Sequence, residues 1–192
     1  EEAREQARQQ ASQQHGALQA IAFLQADAEY LPMGESTCDR VLAAHMLYHV
    51  PDQVLALREM RRVLRPGARV ILTTMTAEES RLHAIHCQAA QQLGYTPTPG
   101  PAARFSLDDL PLVRSVFPSA ERHVLEDAFR FPMPEAALQY YLSGPVDRIE
   151  EWRDEHHRAR LLPLVHEKIE SIIRQEGVFR DPKSAGCFVA EI

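Results

Sequence analysis

The 192-residue sequence has no apolar run near the ~20 residues that a membrane-crossing helix requires. Its first residues, EEAREQARQQASQQHG, are charged and polar where a secretory leader would be apolar. Neither membrane spanning nor secretion is therefore expected. Cysteine is sparse: Cys38, Cys87 and Cys187 are odd in number, widely spaced and outside any C-x-x-C pair. That excludes a disulfide framework and reads as reduced thiols of a cytoplasmic protein, most simply small buried apolar side chains. Basic charge is also short, with 21 Lys and Arg against 27 Asp and Glu for a net charge of −6. Proteins that grip a phosphate backbone carry a basic face, so a nucleic-acid partner is not expected and a small molecule is. The eight glycines, at positions 16, 34, 67, 94, 100, 144, 177 and 186, contain no G-x-G pair. No fixed-period repeat is present. What remains is 45% hydrophobic and 25% charged, the composition of one ordinary globular domain, and a chain of this size buries roughly 70% of its unfolded surface without a metal or disulfide.

Glu1 to Gln14 is rich in helix-forming Ala, Glu, Gln and Arg, with Gly16 where a helix would stop. Ile21 to Leu24 is a short apolar run that leads through Ala26 to Asp27 and predicts a buried strand with an acid at its carboxyl end. After the turn residues Leu31 to Gly34, the run CDRVLAA, Cys38 to Ala44, predicts a second strand. A helix with Leu55, Met60, Val63 and Leu64 on one face follows, Asp52 lying near its start and Arg65-Pro66-Gly67 at its end. Arg69 to Thr74 is a third strand. Strand, helix, strand is a right-handed βαβ unit, and its apolar strands imply a parallel sheet covered on both faces.

Downstream, Leu82, Ile85, Ala89 and Leu93 mark a helix over residues 78–93, and the loop Tyr95 to Arg104 separates two halves of the domain. Ser106-Leu107-Asp108-Asp109 opens a further short helix. Alternation from Arg122 to Phe131 predicts one strand. Pro134 to Gln175 is helical in character with breaks near Gly144-Pro145 and Pro163, and Gly186 to Ile192 is a last strand.

Asp27-Ala28 and Ala44-His45 thus fall at the carboxyl ends of two strands, the edge where open α/β sheets bind ligands. A carboxylate there accepts from an exocyclic amine while the Ala28 N–H donates to a ring nitrogen, a pair that fits an adenine edge. The run Ala26-Asp27-Ala28-Glu29 with Leu31-Pro32, then Asp39 with Val41-Leu42-Ala43, His49-Val50 with Asp52, and Glu59 with Arg62-Val63-Leu64-Arg65-Pro66-Gly67 resembles the class I S-adenosylmethionine-dependent methyltransferases. The resemblance is to their small-molecule branch, related to the ubiquinone and menaquinone enzymes. It implies a Rossmann-like, mostly parallel sheet in strand order 3-2-1-4-5-7-6, with a helical insertion between the sixth and seventh strands. It implies S-adenosylmethionine as cofactor, Asp27 on the adenine amino group, Ala28 on the ring edge, and Ala44 and His45 beside the methionine part. Residues 1–132 and 178–192 would form the sheet core, and residues 133–177 a lid over a small-molecule acceptor.

The sequence departs from that family in lacking the glycine-rich D-x-G-x-G turn after the first strand and the acid that grips the ribose. The amino-terminal strands are therefore expected to be missing from these residues, which leaves the strand Ile21 to Ala26 without a neighbour. Unpaired buried backbone groups cost about 1–3 kcal/mol each, so a fold completed elsewhere or rearranged is expected, with poor cofactor affinity. His45 and His49 are the candidate bases for an acceptor that must lose a proton. Their i, i+4 spacing would also suit a metal if both lay on one helix, but Met46 stands where a metallohydrolase has its glutamate, and no metal is expected. His156-His157 reads as solvated surface, and Tyr140, Tyr141 and Trp152 as packing or as lid aromatics facing an apolar acceptor. The rival to an enzyme is a binding or assembly module that has lost its cofactor site. Homo-oligomerisation stays open.

Overall fold

The computed structural model describes residues 22–76, 80–97, 101–143 and 155–192. The expected helix Glu1 to Gln14, the break at Gly144-Pro145 and Trp152 lie outside them. The elements are β1 Cys38–Ala44, a 3-10 turn Leu47–His49, α1 Gln53–Val63, β2 Leu64–Met75, α2 Arg81–Gln92, a second 3-10 turn Pro101–Ala103, α3 Leu110–Val116, β3 Glu121–Leu125, β4 Ala128–Phe131, α4 Pro134–Ser143, α5 Glu155–Glu176, β5 Phe179–Pro182 and β6 Ala185–Glu191.

Four strands form the main sheet in the order β1-β2-β6-β3. β1 and β2 are parallel, with Val41 opposite Val70 and Ala43 opposite Leu72, while β6 runs antiparallel to both β2 and β3. Three strands therefore share one direction and the last in sequence reverses, which matches the 4-5-7-6 portion of the class I methyltransferase order. α1 makes the crossover between β1 and β2. Its start is fixed by Asp52, whose carboxylate accepts from Leu55 N at 2.9 Å, satisfying one of the free donors of the first turn. Ala56, Leu57, Met60 and Val63 form its buried face. Ala56, Leu57 and Met60 pack with Val113 and Val116 of α3 and with Val70, Leu72 and Phe188 into one core that includes Phe105 and Phe117, its Phe side chains and Leu57 and Leu72 wholly shielded from solvent. Each such side chain contributes about 1.5–3 kcal/mol of burial. The opposite face, which carries Leu42, is open at β1: Leu42 is 64% exposed, contrary to the expected cover on both sides.

A second, separate core is built by the helices and ribbon that follow. α2, α4 and α5 bury Leu82, Ile85, Ala137, Tyr141, Leu161, Val165 and Ile169 with Phe179 of the β4–β5 ribbon. Asp181, fully buried on β5, ties that ribbon to the start of α2: both its oxygens accept from Ser80 Oγ at 2.9 Å, and one from Leu82 N at 3.1 Å. Arg81 adds a bidentate pair with Glu176 at 2.9 and 3.0 Å and lies over the Phe179 ring. The guanidinium holds the Glu176 carboxyl below its ordinary range.

Several expectations are corrected. Residues 22–26 are not a strand: Phe23 and Leu24 are exposed, and the segment ends in an isolated Asp27–Tyr30 bridge. An apolar run becomes a strand only when a neighbour takes up its backbone groups, and among the described residues none lies beside it. The alternation from Arg122 to Phe131 is split at Glu126-Asp127 into β3 and β4, which belong to different sheets. The Asp127 carbonyl accepts from Lys183 N at 2.8 Å and anchors that switch. Pro163 does not break the helix but lies inside α5, whose buried face from Leu161 to Ile172 runs past it. The helix expected from Ser106 begins at Leu110 instead, because Asp109 turns back to accept from Ser106 N at 2.7 Å. Strand β2 starts at Leu64, running through Arg65-Pro66-Gly67, where Gly67 takes φ +76° as the ladder shifts register. The three cysteines are half-buried rather than buried.

Candidate functional site

The carboxyl end of β1 leads through His45 and the 3-10 turn into α1. His45 is exposed and adopts φ +48°, a left-handed conformation that costs a residue with a Cβ about 1 kcal/mol or more. Its N–H donates to the Thr73 carbonyl at 3.1 Å and lies 3.2 Å from Thr73 Oγ1, so the tip of β1 is pinned to β2 as the chain turns away. His49 closes the 3-10 turn with its ring 4.4 Å from that of Tyr48. The left-handed bend at His45 removes the shared helical face on which the two imidazoles would have met. Among the described residues no group of three or more His, Cys, Asp or Glu is placed to hold a metal.

Asp27 and Ala28 begin a loop that is bonded to α1. Asp27 is exposed; one of its oxygens accepts from Glu29 N at 2.9 Å, and a carboxylate retains capacity to accept more. Ala28 packs against the main core. Glu29 Oε1 accepts from Asp52 N at 2.8 Å, joining the loop to the residue that caps α1 just past β1. The structure therefore ties the loop of Asp27 and Ala28 to the start of α1, the helix that follows β1.

Farther along, the loop is held by a pair on the last turns of α1. Arg62 donates through Nε and Nη2 to the two oxygens of Glu59, each at 2.7 Å. Glu59 accepts from Leu31 N at 2.9 Å, while Arg62 donates to the carbonyls of Leu31 at 3.0 Å and Met33 at 2.8 Å. The guanidinium holds the Glu59 carboxyl below its ordinary range, with the Leu31 N–H adding to the effect. Both residues belong to the stretch that carries the family resemblance, but their grip on residues 31–33 is not visible in the sequence.

Sequence reasoning also missed a buried polar pair in the second core, His86 Nδ1 and Tyr141 Oη at 2.6 Å, which joins α2 to α4. Burial pushes the Tyr141 hydroxyl far up in pKa. Tyr140 packs with Phe129 and Phe131, centroids 4.7 and 5.5 Å apart, and Phe129 remains 41% exposed. His157 is half-buried with its ring 4.3 Å from Tyr95, so only His156 of that pair is the expected surface residue. A cleft of about 380 Å³ between α2 and α5, lined by Gln88, Gln92, Glu167 and Lys168 among others, contains none of the rim residues.

This arrangement is the fold of the class I methyltransferases. Residues 1–72 match the family model described as a methyltransferase domain. The chain superposes on the YcgJ protein of Bacillus subtilis with a TM-score of 0.55 at 16% identity, covering 98% of this chain and 76% of that one. A candidate type II methyltransferase from Anaeromyxobacter dehalogenans aligns at a TM-score of 0.52 and 22% identity over 86% of this chain and 69% of that one. Among curated relatives, the ubiquinone/menaquinone biosynthesis C-methyltransferase UbiE of Cellvibrio japonicus is 44% identical over 62 residues, 32% of this chain. That match spans 25% of the relative's own length. No helix among the described residues is long and apolar enough to cross a membrane.

Proposed function

We propose that this chain takes part in transfer of a methyl group from S-adenosylmethionine to a small-molecule acceptor. The observation that supports the reading is the Glu29–Asp52 N bond, which ties the loop of Asp27 and Ala28 to the start of the helix that follows β1, the strand that ends at Ala44, next to His45. Asp27 would accept from the adenine amino group and the Ala28 N–H would meet the ring edge. Ala44 and His45 would flank the methionine part. The residues present fit the cofactor on those two sides. They do not supply the glycine-rich turn or the ribose-gripping acid, since no G-x-G occurs among the 192 residues. The bound cofactor supplies an already activated methyl on a sulfonium. The protein then contributes alignment and exclusion of water, and orientation alone accounts for several kcal/mol of such a barrier. Where the acceptor must lose a proton, His45 or His49 at the exposed rim is the candidate base.

Residues 133–177 serve as the lid over the sheet core of 1–132 and 178–192 in this reading, and α2 joins their packing. The partly exposed aromatic group around Phe129 and Tyr140, together with the acidic net charge, favours a neutral or apolar acceptor over nucleic acid or a membrane surface, in a cytoplasmic protein. A second reading is a binding or assembly module without catalysis. Calorimetric titration of the 192-residue chain with S-adenosylmethionine separates the two. The methyl-transfer reading expects binding weaker than about 0.1 mM that is abolished by Asp27→Ala. Absence of binding, or binding indifferent to Asp27, supports the module instead.

A further inference from the structure

We propose that Glu59 and Arg62 are positioning residues for the loop that carries Asp27 and Ala28, fixing the height of the adenine-facing edge by clamping the backbone of Leu31 and Met33. The proposal rests on the methyl-transfer reading for what the loop binds, but not for the clamp itself. Residues 31–34 belong to no helix or strand, so their amides and carbonyls lack ladder partners. Two side chains supply three of those partnerships: Leu31 N to Glu59, and the Leu31 and Met33 carbonyls to Arg62. The forked guanidinium is needed for this, because it holds both Glu59 oxygens while reaching two carbonyls with its remaining hydrogens. A lysine offers one point charge and cannot span the set. The pair is mostly shielded, with Glu59 17% and Arg62 30% exposed, unlike the surface pair Arg174–Glu170 at 71% and 47%. The far end of the loop is stitched to the same helix by Ser36 N on the Arg62 carbonyl and Thr37 N on the Val63 carbonyl, at 3.0 and 2.9 Å. Between that anchor and the Glu29–Asp52 bond, the clamp alone among the described contacts ties residues 31–33 to α1.

The test measures amide hydrogen exchange and ligand binding on the full chain, in Glu59→Ala, Arg62→Lys and, as a control for a surface pair, Arg174→Gln. Exchange at Leu31 and its neighbours should accelerate about tenfold or more in the first two variants, while β1 and α1 stay protected and the control is unchanged. Binding of adenosine should weaken by a similar factor in the clamp variants, whereas binding of methionine alone should not change. Unchanged exchange at Leu31 in Glu59→Ala overturns the clamp. Accelerated exchange with adenosine affinity unaltered, or with no adenosine binding by the parent chain, overturns the link to the adenine edge and leaves a local tether. Global loss of protection in Glu59→Ala transfers the decision to Arg62→Lys, which keeps the charge; if that variant exchanges and binds as the parent does, the proposal fails.

Discussion

A methyl group at position 186 should unseat the outermost strand. Gly186 pairs with Val124 of β3 on one side and with Thr74 of β2 on the other. A Cβ built there collides with the His123 carbonyl oxygen, and meets Leu107 Cδ1 at 2.9 Å and the His123 carbonyl carbon at 3.1 Å. Ordinary carbon–oxygen contacts lie at about 3.3 Å or beyond, and the obstacle is backbone, which cannot rotate aside as a side-chain tip would. β3 must retreat from β6, loosening a ladder that runs from Glu121–Val189 to Leu125–Ala185. We expect Gly186→Ala to cost about 3 kcal/mol, at the upper end of the over-packing range. Urea unfolding followed by circular dichroism measures it, with Gly177→Ala as comparison: there φ is +78° but nothing lies within 4 Å, so only the conformational cost of about 1–2 kcal/mol applies. A Gly186→Ala protein as stable as its parent, or less affected than Gly177→Ala, would refute the argument.

Two further outcomes follow from buried or paired carboxylates. Replacing Asp181 with alanine strands the Ser80 hydroxyl and the Leu82 N–H at the start of α2, and should destabilise the protein by about 2–4 kcal/mol in thermal or urea melts; a change under about 0.5 kcal/mol would contradict its anchoring role. The Glu59 carboxyl has its pKa lowered from the ordinary 4.5 in the folded protein, so the stability it adds is present above 4.5 and is lost as pH falls through the lower folded value. The stability difference between the parent and Glu59→Gln should therefore be widest near neutrality and close below 4.5; a gap that grows on acidification would show the opposite linkage.

Sequence pattern carried the main sheet because its signals are local. Cys38 to Ala44 emerges with the bounds expected, Asp52 caps its helix, and the closing strand differs by one residue at each end. The β4–β5 ribbon was illegible because Phe179-Arg180-Asp181-Pro182 offers a charged, proline-ended run whose strand character comes from burying Phe179 and Asp181 under α2. Pro163 misled for a related reason: tertiary packing on both sides of it outweighs the one lost helix bond. At the candidate site, the Ala44 position was readable from a strand end, whereas Asp27 follows a segment that is no strand; the left-handed His45 was not readable, and it dissolves the apparent helical pairing with His49. Glu59 and Arg62 stood in the recognised stretch as an ordinary i, i+3 pair; only the fold brings residues 31–33 against them.

A nucleoside edge formed jointly by Asp27-Ala28 and Ala44-His45 is the feature on which cofactor binding turns. Amide chemical shifts of the isotope-labelled chain, followed as S-adenosylhomocysteine is added, address it directly because weak binding suffices. The largest shifts should fall on Ala28, Glu29 and His45 and disappear together in Asp27→Ala. Shifts confined to the cleft between α2 and α5 around Gln88 and Lys168, with the rim amides unmoved, would contradict it.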